Sequence, residues 1–365
     1  MRPAMLRRLS IVVALALLPA SARAQAPRFG AEGDFVMRDF HFASGEMLPE
    51  LRIHYRTLGQ PRRDSAGMVR NAVLILHGTT GAGANFATRV FAGELFGAGQ
   101  PLDTTRYYVV LPDGIGHGQS SRPSEGLHAR FPHYDYDDMV DAQHHLLVEG
   151  LGVTHLRLVM GTSMGGMHSW VWGARYPGFM DGIVPLASVP TQIAGRNRMI
   201  RRMAMEDIRR DPDWKGGDYT AQPSGLRSAL QMLWIMTSAP LVQQHAAPTR
   251  DRADSLIDAF LDARMRTMDA NDMLYAFDAS RNYNPEPTLA HITAPLLAIN
   301  SADDQVNPPE LGLLERLVPR VPHGRWLLIP VGPATRGHGS HTVAALWKTP
   351  FAGFLNSLVL LPPLH

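Results

Sequence analysis

The sequence predicts an α/β protein: a mostly parallel, doubly wound sheet with a helical lid inserted late in the chain. Three observations carry that class. Short apolar runs recur, several of them ending in a loop rich in Gly, Asp or Ser, as in Ala72–Leu76, Leu156–Met160 and Pro295–Ile299. Helix-length stretches lie between them. Residues 190–290 then break the alternation with helix-like sequence and no clear buried strand. Runs apolar on both faces suit parallel strands covered by helices on either side. Strand and helix alternating after an antiparallel start give a doubly wound sheet.

The elements follow in order. Residues 1–24 carry Arg2, Arg7, Arg8 and Arg23, then the apolar run Ile11–Leu18, Pro19 and small residues ending in Ala24. That order reads as a secretory signal cleaved after Ala24, and the run is too short to span a bilayer, which takes about 20 apolar residues. Phe35–Phe42 and Leu51–Leu58 read as strands joined by the turn-rich Ala43-Ser44-Gly45-Glu46. Tyr107–Leu111, Gly182–Ala187 and Trp326–Ile329 join the three runs above as core strands. Asp137–Glu149, Met164–Arg175, Pro309–Val318 and Thr342–Leu358 read as helices. The expected division is a signal at 1–24, a core of 25–189 and 291–365, and a lid of 190–290. The lid holds Met199, Met203, Met205, Met232, Met236, Met265, Met268 and Met273. Most should fill the lid's own core, and any facing the site would suit variable acyl groups.

Composition removes several function classes. The chain of 365 residues is 45% hydrophobic and 19% charged, an ordinary globular balance. Its formal charge of +2 comes from the leader: without those four arginines, 31 basic residues face 33 acidic ones, a net charge of −2. A nucleic-acid partner is therefore disfavoured. With no cysteine, disulfides, a thiol nucleophile and Cys-ligated zinc are excluded. No histidine spacing matches a metal motif, and no later stretch is apolar enough to insert in a membrane. A soluble exported protein, periplasmic or secreted, is the expectation.

The sharpest motif is Gly161-Thr162-Ser163-Met164-Gly165, read G-x-S-x-G, between an apolar strand and a helix-like stretch. A strand–turn–helix context is what a nucleophile elbow requires. Serine needs a base to take its proton, and in this order the acid and then the histidine follow at the ends of later strands. After Pro295–Ile299 come Asp303 and Asp304, and the residues leave both open as the acid. After Trp326–Ile329 comes Arg336-Gly337-His338-Gly339-Ser340-His341. His338, in a Gly-flanked loop ahead of the final helix, sits where a base belongs, with His341 as its rival. An oxyanion needs fixed N–H donors: the backbone of Met164, next to the nucleophile, and that of Thr79 in the loop after Ala72–His77 are the positional candidates.

Together these residues resemble the α/β-hydrolase superfamily and, within it, the homoserine O-acetyltransferase-like branch. The narrower signals are Phe131-Pro132 leading into Asp138-Met139-Val140-Asp141-Ala142-Gln143, and Asp211-Pro212-Asp213-Trp214-Lys215-Gly216-Gly217-Asp218-Tyr219 in the lid. The resemblance implies Ser163 as nucleophile, Asp304 as acid and His338 as base. Its His-x-Leu-Thr-Gly loop stands here as His77-Gly78-Thr79-Thr80-Gly81, which implies Thr79 as second oxyanion donor. It also implies a homodimer through the lid and a lid arginine for an acceptor's carboxylate. Arg196, Arg198, Arg201, Arg202, Arg209 and Arg210 offer no unique match, and a solvated helix face suits most of them. The sequence departs from the acetyltransferases at Gly114-Ile115-Gly116-His117-Gly118-Gln119-Ser120-Ser121, which looks like the loop of general ester hydrolases. The expected function is serine-dependent hydrolysis of a small-molecule ester or thioester, without cofactor or metal. O-acyl transfer to an alcohol and a non-catalytic binding protein of the same fold are the alternatives.

Overall fold

The computed structural model describes residues 30–358, so the leader read as a signal lies outside the described residues. Eight strands form one sheet in the order β1-β2-β4-β3-β5-β6-β7-β8. β1 (Ala31–His41) and β2 (Met47–Leu58) make a hairpin, and β2 runs antiparallel to β4 (Tyr108–Pro112). β3 (Ala72–Leu76), β5 (Leu158–Thr162), β6 (Ile183–Leu186), β7 (Leu296–Ser301) and β8 (Gly324–Ile329) continue parallel to β4. The chain winds from β3 outward to β4 and then returns to place β5 on β3's other side. That reversal leaves a crevice at the carboxyl ends of β3 and β5, where ligands of open α/β sheets bind.

The central strands are buried on both faces because their side chains alternate between two cores. Val73 and Ile75 of β3 pack with Leu158 and Met160 of β5 on one face. There they meet α1 (Ala92–Leu95) and α10 (Lys348–Ser357) through Leu95, Trp347 and Phe351. Leu74, Leu76 and Val159 face the other core, under α2 (Tyr136–His145) and α3 (Met164–Arg175). α2 starts at a reciprocal cap: the Asp135 carboxylate accepts from the Asp138 N–H at 3.1 Å, and the Asp138 carboxylate from the Asp135 N–H at 2.9 Å. Asp138 also accepts from the Ala43 N–H, and Gln143 from the Trp172 indole. The residues of the 131–143 motif are thus the joints between hairpin, α2 and α3.

Between β6 and β7 the chain leaves the sheet and forms five helices. They are α4 (Gly195–Arg210), α5 (Ser224–Thr237), α6 (Pro240–Ala246), α7 (Arg250–Met265) and α8 (Ala270–Asp278). The 211–219 motif is their connector. Asp211 accepts from the Ser224 hydroxyl and the Gly225 N–H, while the Trp214 indole donates to Asn271 on α8. Of the eight methionines, Met205, Met236 and Met273 are buried, but Met199 and Met203 are exposed.

Two predicted helices are broken. In Pro309–Val318, Gly312 adopts φ 60° and divides a 3-10 turn from α9 (Leu313–Leu317), a torsion glycine takes without steric cost. In Thr342–Leu358, 3-10 turns ending at Thr342 and Leu346 precede α10. No helix of the described residues is long and apolar enough to cross a membrane.

Candidate active site

Ser163 stands between β5 and α3 with φ 55° and ψ −111°, a left-handed backbone unusual for a residue with a Cβ. The flanking glycines are required by space rather than torsion. A Cβ on Gly161 would lie 2.2 Å from the Gly165 carbonyl oxygen, and one on Gly165 would lie 2.0 Å from that of Leu76. The turn is held by the Ser163 N–H donating to the Leu186 carbonyl at 2.9 Å. It projects the hydroxyl over the sheet at the start of α3, where the helix dipole favours negative charge.

The loops after β7 and β8 converge on that hydroxyl. His338 Nδ1 lies 2.9 Å from Asp304 Oδ2 and 3.0 Å from Oδ1, and His338 Nε2 lies 2.8 Å from Ser163 Oγ. A carboxylate only accepts, so Nδ1 carries the proton and Nε2 is left to accept from the Ser163 hydroxyl. Asp304 is fully buried. Burial pushes its carboxyl up, but the His338 charge and bond, with the Asn307 and Val306 N–H groups, outweigh that and hold it below the usual carboxylate range.

The two sequence alternatives have separate places. Asp303 accepts from the Gly337 N–H at 2.8 Å and from the Ser301 hydroxyl, so it fastens the loop that carries His338 rather than the ring itself. His341 packs edge-on against His338 with ring centroids 5.3 Å apart. Burial, then the charge of His338, lowers its pKa to about 3, and it forms a neutral part of the cavity wall.

On the other side of Ser163 runs the loop after β3. A Cβ on Gly78 would lie 3.3 Å from Ser163 Cβ, a tight contact that glycine avoids where this backbone passes near the hydroxyl. His77 is pinned at both nitrogens: Nε2 accepts from the Gly114 N–H at 2.9 Å, and Nδ1 donates to the Gly78 carbonyl at 2.9 Å. Burial lowers its pKa, which keeps the one neutral tautomer that satisfies both bonds. In a trans peptide the C=O and the next N–H point in opposite directions. By holding the Gly78 carbonyl together with the Gly81 N–H, also at 2.9 Å, His77 therefore helps to fix the direction of the Thr79 N–H. Asp113 adds a second brace, accepting from the Gly83 and Gln119 N–H groups at 2.7 and 2.8 Å.

The Ser163 hydroxyl and Thr79 face a cavity of about 440 Å³. α5 contributes Leu233 and Met236 to its lining, and α4 contributes Arg201. Arg201 is only 2% exposed, unlike the exposed Arg196, Arg202, Arg209 and Arg210. The sequence held a signal for this. At helical spacing, position 201 shares a face with Ala204, Met205 and Ile208, all buried. His77 gave no comparable signal, because a clamp on a backbone carbonyl has no spacing of its own.

A family model described as alpha/beta hydrolase fold matches residues 71–332. A homoserine O-acetyltransferase from Haloarcula marismortui is 31% identical over 294 residues, which are 67% of this chain and 70% of that enzyme. The homoserine O-acetyltransferases of Moorella thermoacetica and Methanohalophilus mahii are matched over 54% and 60% of their length. Among solved structures, homoserine O-acetyltransferase from Bacillus anthracis superposes with a TM-score of 0.78 at 22% identity, over 90% of this chain and 98% of that one. Esterase E22 follows with a TM-score of 0.77 at 21% identity, over 89% and 99%. At these identities the two structures speak for the fold. The chain belongs to the α/β-hydrolase fold family, in the branch that holds the homoserine O-acetyltransferases.

Proposed function

We propose that this protein is an exported serine ester hydrolase working through an acyl-serine intermediate. The observation that carries the reading is the unbroken chain Asp304–His338–Ser163, with contacts of 2.9 and 2.8 Å, opening into a cavity. In this reading His338 removes the Ser163 proton as Oγ attacks an ester or thioester carbonyl, and Asp304 stabilises the imidazolium. The N–H groups of Thr79 and Met164 hold the oxyanion. His338 then protonates the leaving group, and water, activated by the same histidine, cleaves the acyl-serine.

Export rests on the leader sequence, and it bears on the acceptor. Acetyl-CoA is a cytosolic metabolite, so an exported enzyme would resolve its acyl-serine with water. Transfer to an alcohol is the second reading, favoured by relatives named as homoserine O-acetyltransferases. The α4–α8 segment serves as the lid over the site, and its exposed Met199, Met203, Ile235 and Leu241 support self-association there.

The test is release of phenol from a short-chain aryl ester by the chain from Gln25 onward, with Ser163→Ala and His338→Ala beside it. Both variants should lose nearly all turnover, about 10³-fold or more. Near-wild-type rates in both would sink the mechanism. Formation of O-acylhomoserine when homoserine is added would favour transfer.

A further inference from the structure

A second imidazole stands beside the base, and the acyl-serine mechanism gives it no task. His341 lines the same cavity as Ser163 and His338, and its ring lies edge-on to that of His338 with centroids 5.3 Å apart. It belongs to the 3-10 turn Gly339–Thr342, which follows the base directly in the chain. That turn is held through its main chain and leaves the ring uncommitted. The fully buried Trp347 donates its indole N–H to the His341 carbonyl at 3.2 Å, and the Val343 N–H donates to the Ser340 carbonyl at 3.1 Å.

The two nitrogens of this ring differ. Nδ1 is buried and has no hydrogen-bond partner among the described residues, so the ring meets the cavity through the edge that carries Nε2. Burial, and then the charge of His338, keep the imidazole neutral, so only one nitrogen bears a proton. A sealed N–H without an acceptor is rare in folded proteins, and a sealed lone pair is less so. The proton therefore belongs on Nε2, and His341 offers the cavity an uncharged donor next to the base. Its neutrality matters there. A cation in that place would oppose the imidazolium that His338 becomes in each half of the reaction, and a neutral ring does not.

We propose, on the basis of the acyl-serine reading above, that His341 holds the water that cleaves the acyl-serine, donating from Nε2 to the water oxygen while His338 takes the water's proton. Two contacts on one oxygen fix its position and leave a lone pair for the acyl carbon. That oxygen bonds to the carbon, its proton passes to His338, and the tetrahedral intermediate collapses. The bond from carbon to Ser163 Oγ then breaks, and Oγ takes the proton from His338 as the acid leaves. His341 keeps its own proton throughout. The attacking water occupies the place that the departing alcohol oxygen held in the first half, so the same N–H steadies an alkoxide as it leaves. An aryloxide, already a stable anion, needs little of that help.

The ester 4-nitrophenyl acetate therefore separates the two halves. Under rapid mixing, the first release of nitrophenol reads acylation, and decay of the acetylated protein, followed by mass after acid quench, reads deacylation. His341→Phe, which keeps a flat ring but no N–H, should slow deacylation about 10–100-fold and leave acylation close to the wild-type rate. His341→Gln retains an N–H donor and should deacylate faster than His341→Phe. Labelling of Ser163 by a serine-reactive phosphonate needs the triad but no water, so both variants should take the label as fast as the wild-type protein does. His338 serves both halves, so a His341 that only props that ring would slow acylation, deacylation and labelling together. That result, or an unchanged deacylation rate in His341→Phe, would overturn the proposal. A wild-type protein that neither takes the phosphonate nor releases nitrophenol would instead defeat the acyl-serine reading beneath it.

Discussion

Adjacent aspartates in the loop after β7 hold different things. Asp304 holds the His338 ring, and Asp303 holds the backbone of the loop that carries it. Asp304→Asn, which removes the charge and allows the wrong tautomer, should lower kcat about 10³–10⁴-fold. Asp303→Asn should cost about tenfold at most, since it loosens a loop without touching the imidazole. Steady-state kinetics of the pair, side by side, check the assignment. His77→Ala removes one of the two bonds on the Gly78 carbonyl, leaving that from the Gly81 N–H, and so loosens the direction of the Thr79 N–H. Because a whole oxyanion donor is worth about 10²–10³ in kcat, the loosening of the proposed donor should lower kcat by less than that, and should change kcat more than KM. The convergence of Ser163, Asp304 and His338 was legible in the sequence, because each falls at a strand end in a fixed order. The choice of Asp304 over Asp303 rested on the family resemblance alone, since by spacing both precede the same turn and only the ring's position separates them.

At the level of elements, the buried strands were legible because they are apolar throughout, and β3 has the predicted bounds, Ala72–Leu76. The edge strands are longer than the apolar pattern suggested. β1 begins at Ala31 and β8 at Gly324, where exposed residues are held by ladder bonds that hydropathy does not register. The elements also differ in how they respond to acid. Asp272 on α8 accepts from the Ser124 N–H at 2.8 Å and from the Ser124 hydroxyl at 2.7 Å, tying α8 to the loop after β4. Burial raises its pKa to about 6 in spite of those bonds. The folded chain thus binds this proton more readily than the unfolded chain, whose carboxyl titrates near an ordinary value of about 3.9. Stability from this group is complete below about pH 4 and is lost as pH rises through 6. Asp272→Asn, isosteric and uncharged, should raise Tm by about 2–4 °C at pH 8 and by nothing near pH 4. Thermal melts at the two pH values decide it.

For the whole molecule, the winding order of the sheet brings the carboxyl ends of β3 and β5 together, and five helices inserted between β6 and β7 supply Arg201, Leu233, Met236 and Arg264 to the cavity. Those helices also leave Met199, Met203, Ile235 and Leu241 exposed, and covering them in a homodimer removes apolar area from water. Sedimentation velocity should give twice the chain mass for the protein and a shift toward single chains for Leu241→Glu. Which side chains of these helices face water was not legible, since α4 carries methionines on both its buried and its exposed sides. The backbone of Ser163 carries a further consequence. A φ of 55° costs a residue with a Cβ about 1–2 kcal/mol, and glycine adopts it freely. Ser163→Gly should accordingly melt above the wild-type protein, although it lacks the proposed nucleophile. A library of variants screened only for survival of heat would fill with molecules that have discarded their chemistry, so thermal hardiness at this position is a sign of an inert enzyme.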